Sequence, residues 1–291
     1  MVKLVLGCSN STDLAKKLAR RLKAAYKAVK TDYFPDGEFH IKIPQVKKKH
    51  VILVQSMYPH PNESLLEVVF AAQTAQELGA KRVTVIAPYL CYLRQDKRFH
   101  PGEAKSNSIM AALLTCADDI YTIDPHLHRI TSLKEIFAVK AVALTANSLL
   151  GEYIKKHIKN GIVIGPDAES YQWAEGIAKH ANLPVKVLKK KRYHARKVKI
   201  VVPKQLQEEL HHKKAILVDD IVSTGHTLLE VAKGLRRHKI KSIYAVCVHG
   251  LFAEDALKKL KKAGVKVIAT NTIQSSASKI DISPLLAHAL R

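Results

Sequence analysis

Two adjacent carboxylates, Asp219 and Asp220, stand at the end of an apolar run in ILVDDIVSTGHT (216–227), and Ser223, Thr224, Gly225 and Thr227 follow at once. The two halves of this stretch suit different ends of one ligand. Carboxylates accept hydrogen bonds from neighbouring hydroxyls, whereas a Ser/Thr/Gly turn that opens a helix offers backbone amides and a positive dipole end to an anion. A molecule with vicinal hydroxyls a few ångströms from a phosphate satisfies both, and a sugar phosphate is such a molecule. An ordinary capped turn would explain the hydroxyl residues, but two successive acids behind four apolar residues weigh against it.

Other stretches carry polar groups in dense patterns. PYLCYLRQDKRFHPGE (88–103) sets Arg94, Gln95, Asp96, Lys97 and Arg98 directly after an apolar strand. These cations and amides suit nucleotide phosphates and base edges, although a charged surface loop reads the same way. In KKKRYHARK (189–197), long cationic side chains could close over a polyphosphate, or simply be solvated. FPDGEFHIKI (34–43) places an aromatic residue and two acids around a turn, and a hairpin tip explains Pro35, Asp36 and Gly37 without any ligand. The HxH of IDPHLHR (123–129) lacks the further ligand cluster that a zinc hydrolase needs.

The elements that must position these groups alternate between short β-branched strands and amphipathic helices. VILV is followed by a helix over 64–78 with Leu65, Val68, Val69, Ala72 and Ala75 on one face, and then by VTVIAPY. Such βαβ units build a parallel sheet whose ligands bind beyond the carboxyl ends of the strands, where the motif loops fall. The pattern also recurs. LVLG (4–7) with its helix resembles IVIG (162–165) with its helix, and HVILV with SLLEV resembles KAILV with TLLEV across a loop one residue shorter. One fold is used twice, with a boundary near residue 147, where AVALTANSLLGEYIKKH begins a new helix. VKVIAT and the tail KIDISPLLAHAL find no counterpart in the duplicated pattern.

Composition sets the frame. With 291 residues, 47% hydrophobic and 25% charged, the chain is globular and long enough for about two domains. No apolar run approaches the roughly 18 residues of a membrane span, and the N-terminus turns polar too soon for a signal peptide. A cytoplasmic protein with no membrane attachment is expected. Cys8, Cys91, Cys116 and Cys247 are far apart, which predicts buried reduced thiols and neither a zinc site nor a disulfide framework. The formal charge of +23 is large, yet the cations lie on helix faces such as LAKKLARRLKAAYK (14–27) and LKKLKKAG (257–264) with few interleaved aromatics. Solvated faces, and no specific nucleic-acid partner, are the expectation.

VDDIVSTGHT resembles the phosphoribosyl-diphosphate loop of type I phosphoribosyltransferases. FPDGE, PYxxYxRQD, DPH, GPD, KxR and VDDIxxTG moreover occur in the order seen in ribose-phosphate diphosphokinases, over roughly 1–285. The resemblance implies an α/β protein of two tandem phosphoribosyltransferase-like domains, each a mainly parallel sheet flanked by helices. Domain 1–147 would carry the ATP-binding motifs, and domain 148–291 the ribose 5-phosphate loop and the catalytic loop. It implies transfer of the β,γ-diphosphoryl group of ATP to the C1 hydroxyl of ribose 5-phosphate, giving 5-phosphoribosyl 1-diphosphate and AMP for nucleotide biosynthesis.

Residue by residue, the resemblance has Asp219 and Asp220 hold the ribose hydroxyls while Ser223, Thr224, Gly225 and Thr227 surround the 5-phosphate. Lys190 and Arg192 stabilise the transferring phosphates. Phe34 stacks on adenine, Asp36 and Glu38 contact the base, and Arg94, Gln95 and Asp96 complete the ATP site. His126 and Asp167 serve a Mg²⁺ ion. A homodimer or larger homo-oligomer is implied, with the active site near a subunit interface, because the FPDGE hairpin serves a neighbouring subunit. Two places depart from the family pattern. Ala168-Glu169-Ser170 replaces a glycine and a small residue, which puts substrate preference in doubt. His226 replaces a usual glycine: it either costs about 1 kcal/mol if positive φ is required there, or adds a donor to the phosphate.

Overall fold

The computed structural model describes the chain apart from Met1, His128, Ala168, Glu169, Ala195 and Arg196, and apart from the side chains of Gln172 and of residues 189–201. Its elements begin with β1 (Lys3–Gly7), α1 (Thr12–Leu22), β2 (Ala25–Ala28) and a hairpin of β3 (Lys30–Tyr33) and β4 (Phe39–Lys42). β5 (His50–Val54), α2 (Pro61–Glu77), β6 (Arg82–Ala87), α3 (Ser106–Leu113), β7 (Asp119–Ile123) and β8 (Lys140–Leu144) follow. After α4 (Asn147–His157), the second series runs β9 (Gly161–Gly165), α5 (Tyr171–Ala181), β10 (Val185–Val187) and a hairpin of β11 (Lys189–His194) and β12 (Lys197–Val201). It continues with α6 (Lys204–Leu210), β13 (Lys214–Val222), α7 (His226–Arg237), β14 (Ile243–Gly250), α8 (Ala256–Lys262), β15 (Val265–Thr270) and β16 (Ser278–Ile280), and α9 (Ser283–Ala289) closes the chain.

The duplication is more complete than the sequence pattern indicates. Two six-stranded sheets have the orders β2-β1-β5-β6-β7-β8 and β10-β9-β13-β14-β15-β16, and neighbouring strands pair in parallel throughout. VKVIAT is β15, the counterpart of β7, and the three residues of β16 match β8. Of the tail KIDISPLLAHAL, only its first two residues belong to β16, a strand too short to show an apolar pattern, and most of the rest forms α9. AVAL belongs to β8, so the new helix starts only at Asn147. Each half also inserts an antiparallel hairpin between its second and third sheet strands.

Strands such as β5, buried along its whole length, read as continuous apolar runs because helices cover both faces of a parallel sheet. α2 starts earlier than its apolar period suggests, with proline in its first turn, where a missing N–H is harmless. Leu65, Val68, Ala72 and Ala75 are buried as expected, while Val69 is half-buried and Ala71 joins the core. One apolar cluster gathers Leu6, Leu53, Met110 and Ile120. A second gathers Ile164, Leu217, Leu235 and Leu260.

The compact units are Met1–Thr145 with Ser283–Arg291, and Ala146–Ile282. The second domain, expected to run to 291, thus ends at Ile282, and the tail returns to the first. α9 packs on α1 with Leu286 and Ala287 buried. Arg21 Nε donates to Ser283 Oγ at 2.8 Å and Lys3 Nζ to the Leu290 carbonyl at 2.8 Å. No helix among the described residues is long and apolar enough to cross a membrane. The four cysteines are free, three of them buried and Cys116 half-buried, and burial pushes the Cys91 thiol up to about 12.

Candidate active site

β13 outruns one of its neighbours. Its pairing with β9 ends at Leu217↔Ile164, while its pairing with β14 continues to Val222↔Gly250. The strand therefore extends two residues past Asp220, further than the sequence suggests, and both acids sit where β9 has already given way to the loop that carries Asp167. The Asp220 amide donates to Asp219 Oδ1 at 3.1 Å, and the Ile221 amide to Asp220 Oδ1 at 2.8 Å. Burial, then the neighbouring Asp220 and Asp167, raises the Asp219 carboxyl well above the usual carboxylate range. On the adjoining strand Cys247 lies opposite Asp219, and burial followed by the two acids pushes its thiol up. Carboxylates crowded in this way can accept from hydroxyl donors or face a cation.

Beyond the acids the chain turns into α7 through Gly225, whose φ is +69°. A Cβ there would lie 3.3 Å from Ala256 Cβ and 3.4 Å from Leu260 Cδ1, so both the conformation and the space favour glycine. No side chain caps α7, and its first amides are unpaired within the helix. Ser223, Thr224 and Thr227 are half-buried around them, which leaves amides and hydroxyls together for an anion. His226 is the first residue of α7 and is exposed. Positive φ falls on Gly225 and not on His226, so the strain considered for this histidine does not arise.

Asp167 is held by Ser170. The Ser170 hydroxyl donates to the Asp167 carbonyl at 2.6 Å and accepts from the Asp167 amide at 3.2 Å, and the Ser170 amide donates to Asp167 Oδ1 at 3.1 Å. Ser170 is buried, and a Cβ on Gly165 would meet its Oγ at 2.7 Å. The serine that looked like a departure from pattern thus organises the loop, while Ala168 and Glu169 lie outside the described residues. Lys190 and Arg192 are in β11, opposite Ile200 and Val198 of β12; their side chains lie outside the described residues.

The matching edge of the first unit cannot do the same chemistry. Gln55 and Ser56 stand where β13 carries its acids, Pro61 removes an amide from the first turn of α2, and Glu63 in that turn repels anions. Glu67, buried in α2, accepts from the Ser9 amide at 3.0 Å, Ser9 Oγ at 2.6 Å, Thr31 Oγ1 at 3.1 Å and Gln55 Nε2 at 2.5 Å. These hydrogen bonds occupy the Glu67 carboxylate at the wall of a cavity of about 130 Å³ that Asn10, His60 and Glu63 also line.

The first unit gathers its predicted nucleotide residues in two places. Phe34, Asp36 and Glu38 share the exposed tip of the β3–β4 hairpin, with the Phe34 amide donating to the Glu38 carbonyl at 2.7 Å and the Glu38 amide to Asp36 Oδ1 at 3.1 Å. Arg94, Gln95 and Asp96 lie on the loop between β6 and α3. Arg94 is exposed and Asp96 is buried, with Arg129 Nη1 donating to Asp96 Oδ1 at 2.8 Å. Gln95 Nε2 donates to Glu103 Oε2 at 3.1 Å, which also accepts the Phe99 and His100 amides at 2.7 and 3.1 Å. Among the described residues, Asp96 Oδ2 and Asn107 Nδ2 are buried without hydrogen-bond partners, an arrangement that in native proteins calls for an explanation such as a ligand or water. Arg129, Glu103 and Asn107 escaped sequence reasoning because nothing local marks them; Arg129 is 33 residues from its partner.

His126, half-buried, follows β7 in the first unit, and Asp167 belongs to the second. Among the described residues, no group of three or more His, Cys, Asp or Glu side chains could hold a metal ion. Mg²⁺ takes hard oxygen donors, keeps several waters and commonly shares substrate phosphate oxygens, so a single carboxylate such as Asp167 fits it without a cluster made by the protein alone.

Comparison with known proteins agrees with this layout. A profile described as the N-terminal domain of ribose phosphate pyrophosphokinase matches residues 3–117, and a phosphoribosyl transferase domain profile matches residues 132–282. The ribose-phosphate pyrophosphokinase of Methanopyrus kandleri is 35% identical over 99% of this chain and 98% of its own. That of Methanothermobacter thermautotrophicus is 36% identical over 99% and 100%. The crystal structure of phosphoribosylpyrophosphate synthetase from Mycobacterium smegmatis superposes with a TM-score of 0.84 at 27% identity, covering 100% of this chain and 98% of the other. The chain belongs to the ribose-phosphate pyrophosphokinase family.

Proposed function

We propose that the protein transfers the β,γ-diphosphoryl group of ATP to the C1 hydroxyl of ribose 5-phosphate, releasing AMP and 5-phosphoribosyl 1-diphosphate. The observation that carries this reading is the pair Asp219–Asp220 directly before an uncapped helix start ringed by Ser223, Thr224, Gly225 and Thr227. The ribose hydroxyls donate to the two carboxylates, and the 5-phosphate lies on the α7 amides and the three hydroxyls.

The sugar's O1 attacks the β-phosphorus of ATP. The O1–Pβ bond forms, the bond from Pβ to the oxygen bridging to the α-phosphate breaks, AMP leaves with that oxygen, and the proton of the C1 hydroxyl is released to solvent. No enzyme nucleophile is needed, so alignment and charge stabilisation supply the acceleration. Lys190 and Arg192 neutralise the diphosphoryl group in transit. Asp167 and His126 would each serve Mg²⁺, with substrate phosphate oxygens and water as its other ligands, and the ion would screen the phosphate charges.

Phe34, Asp36, Glu38, Arg94, Gln95 and Asp96 bind the nucleotide. The hairpin tip, exposed on its own subunit, serves the site of a neighbouring copy in a homodimer or larger assembly. Unlinked thiols, three of them buried, fit a reducing cytoplasm.

ATP carrying a radiolabel at its β-phosphate distinguishes this reaction from ordinary kinase chemistry. The label is expected in the sugar product, with unlabelled AMP. Label retained in ADP would instead mean γ-phosphoryl transfer and overturn the reading.

A further inference from the structure

The charge of the chain is unevenly distributed. From Val231 to Ile280 the sequence holds eleven lysines and arginines, against Glu254 and Asp255 as its only carboxylates. Those two acids lie in the turn after β14, on the edge of the second unit that carries the strand ends and the Asp219 site.

Six of these cations gather at the opposite edge, while Lys233 pairs with Glu230 at 2.8 Å. In a βαβ arrangement each helix runs back against the strands, so helix ends and strand starts share one side of the sheet. α7 ends at Arg236 and Arg237, followed by Lys239. α8 ends at Lys261 and Lys262, and Lys266 stands near the start of β15. All six are exposed. The two helix ends are tied together, because Arg236 Nη2 donates to the Gly264 carbonyl at 2.9 Å, and Lys266 lies over the Tyr244 ring, 5.2 Å from its centroid.

Helix dipoles do not account for this concentration. A helix C-terminus is equivalent to about −0.5 of a charge, so two helices offer about −1 against these six formal positive charges. Soluble surfaces ordinarily intersperse both signs; here self-repulsion is left standing, as on a surface that meets a polyanion. None of the exposed large apolar side chains among the described residues lies between 231 and 280. The face therefore lacks the insertion groups of a membrane-surface helix and an exposed aromatic platform for unpaired bases.

We infer that this face binds the phosphate backbone of double-stranded nucleic acid, independently of base sequence. The contacts would be ionic and reversible, and the catalytic edge of the same unit would stay open to substrates.

The test compares two triple variants with equal loss of charge. Arg237→Gln/Lys261→Gln/Lys262→Gln removes part of the face. Lys16→Gln/Lys17→Gln/Arg20→Gln removes exposed cations from α1 in the first unit. Fluorescence anisotropy with a short labelled duplex is read over a range of salt, with diphosphoryl transfer activity and melting temperature confirming that both variants are folded. The inference predicts duplex binding by the parent at about 0.15 M salt. The face variant should bind at least tenfold more weakly, with the slope of log affinity against log salt reduced by about 3, and the α1 variant should stay close to the parent. Equal weakening in both variants would mean that total charge alone drives binding and would overturn the inference. So would no binding by the parent at that salt, or equally tight binding to vesicles of anionic lipid.

Discussion

Asp219 and Asp220 are locked to each other through the backbone, the Asp220 amide donating to Asp219 Oδ1 at 3.1 Å, while burial and the surrounding acids raise the Asp219 carboxyl. Stability and function are opposed at this position. A carboxyl raised in the folded state contributes stability that is complete below its unfolded value and is lost as pH rises through the folded value. The ligand-free protein should therefore melt at progressively lower temperature as pH rises through that window. Asp219→Asn should flatten this dependence and raise the melting temperature at neutral pH by a few degrees, at about 2–4 °C per kcal/mol, while ribose 5-phosphate binding falls tenfold or more. A variant that melts below the parent at neutral pH would contradict this account of the acid pair.

Gly225→Ala tests the turn. Its φ of +69° and the contact at 3.3 Å to Ala256 should cost about 1 kcal/mol, lower the melting temperature by about 2–4 °C and raise the KM for ribose 5-phosphate. His226→Ala, in ordinary helical backbone, should leave stability unchanged. Calorimetric melts of the two variants side by side check the assignment of the strained position.

Much of this site is legible in the sequence because it is local. The acids, the turn and the helix start lie within a dozen consecutive residues, and short apolar runs announce the strands on either side. What the sequence conceals is made across distance. Arg129 reaches Asp96 from another loop, β16 is too short to show an apolar pattern, and α9 leaves the second repeat to pack on α1. The reversal of roles at Ser170 has the same origin, since its importance comes from how its hydroxyl folds back on Asp167 and not from its place in a motif.

Ser170→Ala should leave the protein folded but release the Asp167 loop, which loses the two hydrogen bonds at 2.6 and 3.2 Å made by the hydroxyl. Misplacing a group at the reacting centre is costly, and kcat should fall about tenfold with little change in ribose 5-phosphate affinity. Steady-state kinetics separate the two quantities. An unchanged kcat would remove Asp167 from the reacting centre.

Lys190→Ala addresses the charge developing on the transferring group. Loss of a cation that acts mainly in the transition state should lower kcat about a hundredfold or more, while equilibrium titration with ribose 5-phosphate gives a parent-like affinity. Equal turnover in variant and parent would remove β11 from catalysis.

The central claim is that one site joins ribose 5-phosphate to the diphosphoryl group of ATP, and phosphorus NMR of the purified protein with Mg²⁺, ATP and ribose 5-phosphate tests it most directly. The account predicts that AMP and a sugar diphosphate appear together in equal amounts, and that Asp219→Asn produces neither. ATP consumption that yields ADP, or an unaltered mixture in which ribose 5-phosphate is nevertheless bound, would contradict it.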